Sequence, residues 1–379
     1  MIPFARHCAV AVEAEYVTAC LRSGSTSGDG PFTRRASSLL GQLLGVERAL
    51  LTTSCTHALE MMPLVLGLQP GDEVIMPSYT FSSTANAFAL RGVTIRFAEV
   101  DGDRWSMGPD EVLPLLNERT RAVVAVGYNG VSYRLAELEG LCARHGIALL
   151  VDAAQSLGAT HAGRSVASYG ALSALSFHAT KNLSCGEGGA LIVNDASLLH
   201  RAEMVREKGT DRSRFLRGEV DKYTWRCVGS SYLMSDLNAA VLLAQLESFD
   251  AIQAHRHTVW SAYRSEVEPV SARLGLSLQR IDAADGHPAH LFGMLLPSGV
   301  ERAPLLASMA EAGVRATSHY EPLHAAPAHG GSETLPVSDG VAARMLRLPI
   351  HGEVSAEEAS RIASLLVSLL ERDGIGGQS

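Results

Sequence analysis

The residues able to do chemistry stand just past the ends of short apolar segments. TTSCTH (52–57) puts small polar side chains where a strand would give way to a helix. Free amides at a helix start, with the helix dipole, suit a phosphate, and the same residues would equally make an ordinary N-cap through Ser54 or Thr56. In VDAAQSLGA (151–159), Asp152 closes an apolar run and Gln155 follows one turn later. A carboxylate so placed can bind a cation, orient a base, pair with a protonated ring nitrogen, or simply cap a helix. In SFHATKNLSCGEGGALIVND (176–195), Lys181 follows an apolar run and has a glycine-rich turn behind it. Lysines usually sit on solvated surfaces, yet of 32 basic residues only Lys181, Lys208 and Lys222 are lysines, and Lys181 lies between two apolar segments. A phosphate cradle, a carboxylate and an amine at neighbouring edges of one sheet are what pyridoxal phosphate requires. The amine links to its aldehyde, the carboxylate keeps the ring nitrogen protonated so that the ring accepts electrons, and amides hold the phosphate.

Other cofactor chemistries lack their motifs. There is no GxGxxG after an apolar strand, no GxxxxGK[ST], no HExxH and no GxSxG in the 379 residues, and no metal site is expected. The six cysteines, at 8, 20, 55, 142, 185 and 227, form no CxxC pair for zinc or disulfide exchange, which fits a reduced, cytoplasmic protein. A formal charge of −8 leaves no general basic surface for a phosphate backbone, so nucleic acid is not an expected partner. The N-terminal stretch is acidic by Glu13 and lacks a signal-peptide pattern, and no apolar run reaches the roughly 18 residues of a membrane span.

Bringing three strand ends to one edge requires an open, mainly parallel sheet. Apolar, β-branched runs at 48–53, 72–77, 93–100, 121–128, 147–152, 171–177 and 190–195 predict seven strands of such a sheet. Segments 56–67 and 134–145 have helical apolar spacing and end near glycine. A three-layer α/β domain follows, with ligands expected beyond the carboxyl ends of its strands. Residues 235–257 read as one long helix, after which the rhythm changes. The boundary is placed there: a large cofactor-binding domain with an N-terminal arm over 1–257, and a smaller C-terminal α+β domain over 258–379. The smaller domain is expected to have strands over 290–296 and 314–320, a closing helix over 355–373 and a frayed end at GIGGQS (374–379).

PGDEVIMPSYTFSSTANA (70–87), VDAAQSLGA, SFHATKNLSCGEGGALIVND, REKGTDRSRFLRGEVDKYTW (206–225) and SHYEPLH (318–324), in this order, resemble the DegT/DnrJ/EryC1/StrS family of pyridoxal-phosphate sugar aminotransferases. The resemblance covers essentially the whole chain and implies the type I (aspartate) aminotransferase fold, with each site shared between the subunits of a homodimer. Within the family, 206–236 is most similar to the transaminases that make dTDP-4-amino-4,6-dideoxygalactose. That implies transfer of an amine from L-glutamate to carbon 4 of dTDP-4-keto-6-deoxyglucose in two half reactions, with pyridoxamine phosphate carrying the amine between them. The galacto or gluco configuration of the product stays open. Related activities bound the reading: a sugar dehydratase has histidine in place of the lysine, an aminotransferase for 3-keto sugars keeps the lysine, and a non-catalytic regulator keeps only the fold.

Carried over position by position, the resemblance makes Lys181 the catalytic lysine, joined to the cofactor and then shuttling the proton. It pairs Asp152 with the pyridine nitrogen, sets Gln155 against the ring hydroxyl, and stacks Phe81 on the ring, where the residue alone would equally suit a core. Cys55 and Thr56 supply amides and a hydroxyl to the phosphate, and Ser176 a further hydroxyl. Ser231 stands where the family usually has an asparagine that reaches the phosphate from the partner subunit. For the substrate, His319 and Tyr320 match a sugar-pocket motif, and Asp29 lies in GDGPFT (28–33), which resembles a loop over the site. Arg212, Arg214, Arg217 and Lys222 form a basic stretch able to meet a diphosphate or to lie solvated. The role of His178 stays open.

Overall fold

The computed structural model describes residues 1–372 apart from Tyr133, Ala284 and Ser332, so the expected frayed end at 374–379 lies outside the described residues. The apolar runs become β1 (Ala49–Thr52), β2 (Glu73–Pro77), β3 (Thr94–Ala98), β4 (Thr120–Val126), β5 (Ala148–Asp152), β6 (Leu172–Ser176) and β7 (Gly189–Val193). They form one seven-stranded sheet in the order β1-β7-β6-β5-β4-β2-β3. Pairings from β3 through β6 are parallel, and β7 runs antiparallel to both β6 and β1.

Successive side chains of a strand face opposite ways, so a strand buried on both faces must be apolar throughout. Val123, Ala125, Leu149 and Val151 pack with α2 (Pro31–Leu44), α5 (Leu135–His145) and α7 (Asp236–Glu247), against which α1 (Glu13–Ser23) also lies. Ala122, Val124 and Leu150 pack on the other face with α3 (Cys55–Leu66), α4 (Ser82–Ala89) and α6 (Leu199–Arg206). This is the mainly parallel three-layer α/β architecture that the sequence predicts.

Two expectations fail. The helix predicted over 235–257 is two helices, α7 and α8 (Phe249–Leu274), broken at Ser248, whose φ and ψ are −100° and 9°. The break lets α7 lie on the large sheet through Leu242, Leu243 and Leu246 while α8 leaves it, packing Val259, Tyr263 and Val267 into a second core. That core joins an antiparallel three-stranded sheet of β8 (Ser277–Leu278), β9 (Phe292–Leu295) and β10 (Met345–Leu348) to α9 (Arg302–Glu311) and α11 (Ala356–Arg372). The strand predicted over 314–320 is absent: Val314 and Thr317 make single bridges, to Ile2 and Arg347. The chain then turns away from the sheet, carrying His319 and Tyr320 to the cavity described below. α10 (Pro336–Arg344) leads into β10.

The first residues belong to this smaller core. The amide of Ile2 donates to the Gly313 carbonyl at 2.8 Å, and the Ile2 carbonyl accepts from Arg315 at 3.0 Å. All six cysteines are free. Among the described residues no helix is long and apolar enough to cross a membrane.

Candidate active site

A cavity of about 440 Å³ opens at the carboxyl ends of β4, β5 and β6. That volume suits a small organic ligand. Val126, Asp152 and Ser176 close the strands, and the start of α3 forms one wall. His290, His319, Tyr320 and Arg347 close it from the smaller core, and Phe4 from the N-terminal arm.

The wall at α3 is built for an anion. Ser54 is the N-cap, its hydroxyl accepting from the His57 amide at 3.1 Å. The Ser54 carbonyl accepts from Ala58, so the helical bonding begins there. The amides of Cys55 and Thr56 donate to no group among the described residues, as the first turn of a helix dictates. The Thr56 hydroxyl meets that of Ser83 at 2.8 Å, and Ser176 lines the same cavity. Burial pushes the Cys55 thiol well above its ordinary range, against the pull of Lys181, so it stays protonated.

Gly189 makes this wall possible. A β-carbon there would lie 2.3 Å from the Cys55 nitrogen and the Ser54 carbonyl carbon, both backbone atoms. Gly189→Ala is therefore expected to displace the start of α3, at an overpacking cost of roughly 1–3 kcal/mol that a thermal melt would register as a lower midpoint.

Asp152 is buried at the end of β5, with Oδ2 accepting from the Thr84 hydroxyl at 2.7 Å and Oδ1 from the Ala154 amide at 3.1 Å. Burial raises its carboxyl above the usual range, although those two bonds oppose the rise. Gln155 is occupied at both ends: Oε1 accepts from the Asn129 amide at 2.7 Å and Nε2 donates to the Tyr320 hydroxyl at 3.0 Å. Phe81 is 54% exposed at the start of α4, which excludes a core role. Its ring centroid lies 5.5 Å from that of Tyr320 on the cavity wall.

Lys181 lies on the loop between β6 and β7. Among the described residues no hydrogen bond or ion pair holds its amine, and burial lowers its pKa, favouring the neutral form. The residue after it is fixed: Asn182 Nδ2 donates to the Pro288 carbonyl at 2.8 Å and to Gln253 at 3.0 Å. His178, whose role the sequence leaves open, also lines the cavity. Its Nδ1 accepts from the Thr180 amide at 3.3 Å, which assigns the proton to Nε2, 3.6 Å from Glu187. The ring thus braces its own loop.

The remaining sequence candidates divide. His319 and Tyr320 line the cavity, and Tyr128 donates to the His319 carbonyl at 2.8 Å, as does Tyr79. Desolvation and then the Arg347 charge lower His319 to about 4, and burial raises Tyr320 to about 12, so both are neutral near pH 7. Asp29, Arg212, Lys222 and Ser231 do not line it. The Asp29 carboxylate accepts two bonds from Arg206, at 2.7 and 2.9 Å. Arg212 is 3.6 Å from Glu207, and Arg214 and Arg217 pair with Glu203 and Glu219, so the basic stretch is largely neutralised. Lys222 and Ser231 are exposed.

Sequence reasoning missed Arg347, His290, Phe4 and Ser83. Arg347 alone left a signal, a charge in the apolar run MLRLPI (345–350). Taken together, the residues fit pyridoxal phosphate. Two free amides and hydroxyls suit its phosphate, a buried carboxylate with a raised pKa calls for a cationic partner, and an unpaired amine with a lowered pKa suits attack on an aldehyde.

A model of the DegT/DnrJ/EryC1/StrS aminotransferase family matches residues 7–367. The chain belongs to that family. Family membership makes it a transaminase of the sugar aminotransferase group. Among solved structures it is similar to the aminotransferase TlmJ from Streptoalloteichus hindustanus, at 27% identity and a TM-score of 0.91, covering 99% of this chain and 100% of that one. It is also similar to DesV of S. venezuelae, whose structure holds a ketimine intermediate, at 28% identity and a TM-score of 0.86 over 96% and 95% of the two chains. A sugar aminotransferase from Streptococcus pneumoniae, Spr1654 in its PMP form, shares the fold at 22% identity and a TM-score of 0.90, over 98% and 100%.

Proposed function

We propose that the chain moves an amine from L-glutamate to carbon 4 of dTDP-4-keto-6-deoxyglucose, with pyridoxal phosphate as its cofactor. The observation that carries this reading is the unpaired, pKa-lowered amine of Lys181 in one cavity with the buried Asp152 and the free amides of α3. When bound, the cofactor supplies an aldehyde to hold the amine in transit and a ring to delocalise electrons. The chain supplies the rest. Cys55, Thr56 and Ser176 would hold the phosphate end, Asp152 would keep the ring nitrogen protonated, and Phe81 would pack against the ring. Gln155 and Tyr320 would meet the ring hydroxyl and the sugar. Nζ of Lys181, its pKa lowered by burial, would take a proton from the donor's α-carbon in the first half reaction and give one to the sugar carbon in the second.

The choice of a dTDP-4-keto sugar rests on the similarity of 206–236 to transaminases of that kind. The same segment suits a shared site in a homodimer. Ser231, Lys222 and Trp225 are exposed and outside their own cavity, with Trp225 73% exposed, and a partner's cavity would give them a ligand to meet. Incubation with pyridoxal phosphate, L-glutamate and dTDP-4-keto-6-deoxyglucose, followed by proton NMR of the product, tests the reading. An aminated sugar is expected. A small coupling between protons 3 and 4 identifies the galacto epimer and a large one the gluco epimer, whereas no aminated sugar overturns the substrate assignment.

A further inference from the structure

His290 stands two residues before β9, is 5% exposed and lines the Lys181 cavity. The backbone is held on both sides of it: Arg256 Nε donates to the Ala289 carbonyl at 3.1 Å, and the Leu291 amide donates to Asn129 Oδ1 at 3.0 Å. Its Nδ1 lies 2.7 Å from Oδ1 of Asn182, the residue after the lysine. The Pro288 carbonyl decides which of the two donates. A carbonyl only accepts, so the groups of Asn182 and Gln253 that meet it, at 2.8 and 2.7 Å, are their amide nitrogens. Asn182 therefore turns its oxygen to His290, which assigns the ring proton to Nδ1. Burial first, and then the positive charges around it, hold the ring well below the ordinary histidine range, so no second proton joins. Nε2 is left with a bare lone pair, and among the described residues nothing donates to it.

Building on the reading above, in which Lys181 works at a carbonyl carbon, we infer that His290 Nε2 accepts a hydrogen bond from a hydroxyl beside that carbon, so that the cavity takes α-hydroxy ketones and aldehydes as amine acceptors in preference to their deoxy counterparts. The bond through Asn182 ties the ring to the lysine's own neighbour. The alternatives fit less well. A carboxylate of an amino donor brings only lone pairs, which another lone pair repels. A ring that takes no second proton cannot serve as the base, which leaves proton transfer to Lys181. The buried carboxylate and amide oxygens of the same wall already have donors: Asp152 accepts from Thr84 and Ala154, and Gln155 from Asn129. A buried acceptor stripped of water by a ligand that supplies no donor pays its full desolvation, and that penalty is what turns the deoxy analogue away.

The chain is loaded with pyridoxamine phosphate, and the change of its absorbance to that of pyridoxal phosphate is followed with two matched pairs: dTDP-4-keto-6-deoxyglucose against its 3-deoxy counterpart, and glycolaldehyde against acetaldehyde. The readout is the preference within a pair, compared between the parent chain and two variants, so that differences in intrinsic reactivity cancel. His290→Asn keeps an amide donor for Asn182 where Nδ1 stood and removes the lone pair, whereas His290→Phe removes both. Preference for the hydroxylated member should fall at least about tenfold in each variant. An unchanged preference in a folded His290→Asn chain overturns the inference, as does a preference lost only in His290→Phe, which would give the ring a purely structural task. A second measurement involves no turnover. In the parent chain carrying isotope-labelled histidine, the nitrogen NMR signals of His290, identified by their absence from either variant, should show a protonated Nδ1 and a bare Nε2 near neutral pH. The reverse tautomer or a doubly protonated ring overturns the inference. If the sugar pair does not react and the glycolaldehyde pair shows the preference, the proposed sugar substrate is refuted and the hydroxyl contact stands; a chain that passes its amine to neither pair overturns both.

Discussion

Replacing Lys181 by alanine is expected to leave a folded chain whose turnover is at least about 10⁴-fold lower, since both the link to the cofactor and the proton shuttle are lost. The fold should survive because no group among the described residues depends on the amine, and burial already opposes its charge. A melt and a dichroism spectrum like the parent's, alongside absent product, would meet the expectation. Product formation by the Lys181→Ala chain at near-parental rate would remove Lys181 from the chemistry altogether. Only a few features of the sequence were needed to single this lysine out: its rarity, its place between two buried strands, and the glycines behind it.

The same features made the large sheet legible. β5 is buried on both faces and so reads as an unbroken apolar run ending at Asp152; β6 is buried throughout and ends at Ser176, its one interior polar side chain, Ser173, donating to the Tyr169 carbonyl at 3.1 Å. Where burial is mixed, the pattern misleads. The apolar spacing continues across Ser248, so nothing local announces that α7 and α8 serve different cores. Residues 314–320 alternate like a strand, but Tyr320 is needed at the cavity, with its hydroxyl on Gln155, and pairing stops at Thr317. β10 went unseen for the opposite reason: a strand with an arginine at its centre looks too polar for a core until the cavity beside it is known. Ser231 and the 206–225 stretch are hardest of all, because their meaning depends on a neighbour that one chain does not contain.

Asp152→Asn should be the second severe loss. An amide cannot keep the ring nitrogen protonated, and removal of one preorganised electrostatic partner typically lowers kcat by about 10²- to 10³-fold. Stability should move the other way. Because burial raises the Asp152 carboxyl, the stability it contributes to the unliganded chain is complete below the pKa of the unfolded state and is lost as pH rises through the folded value. At neutral pH, where an unfolded carboxyl is ionised, burial opposes that ionisation, and an uncharged amide is free of the penalty. The hydrogen bonds can be kept, since Thr84 can accept from the new amide and donate to Thr80, 2.9 Å away. The unliganded variant should therefore melt no lower than the parent near pH 7, with the gap closing as pH falls toward about 3.9. A variant that melts lower at pH 7 and regains nothing in acid would contradict the assignment of the charge.

β7 runs against its neighbours, and so begins at the rim where they finish. Residues 177–188 are therefore a clasp pinned at both ends, by Phe177 donating to the Gly188 carbonyl at 2.8 Å and Ala179 to that of Gly186 at 3.1 Å. The entropy of ordering the lysine is met when the sheet forms, before any ligand arrives. What remains to be ordered on binding is the ligand alone, and a residue inserted anywhere in the clasp would shift the amine and the glycine wall of the cradle together.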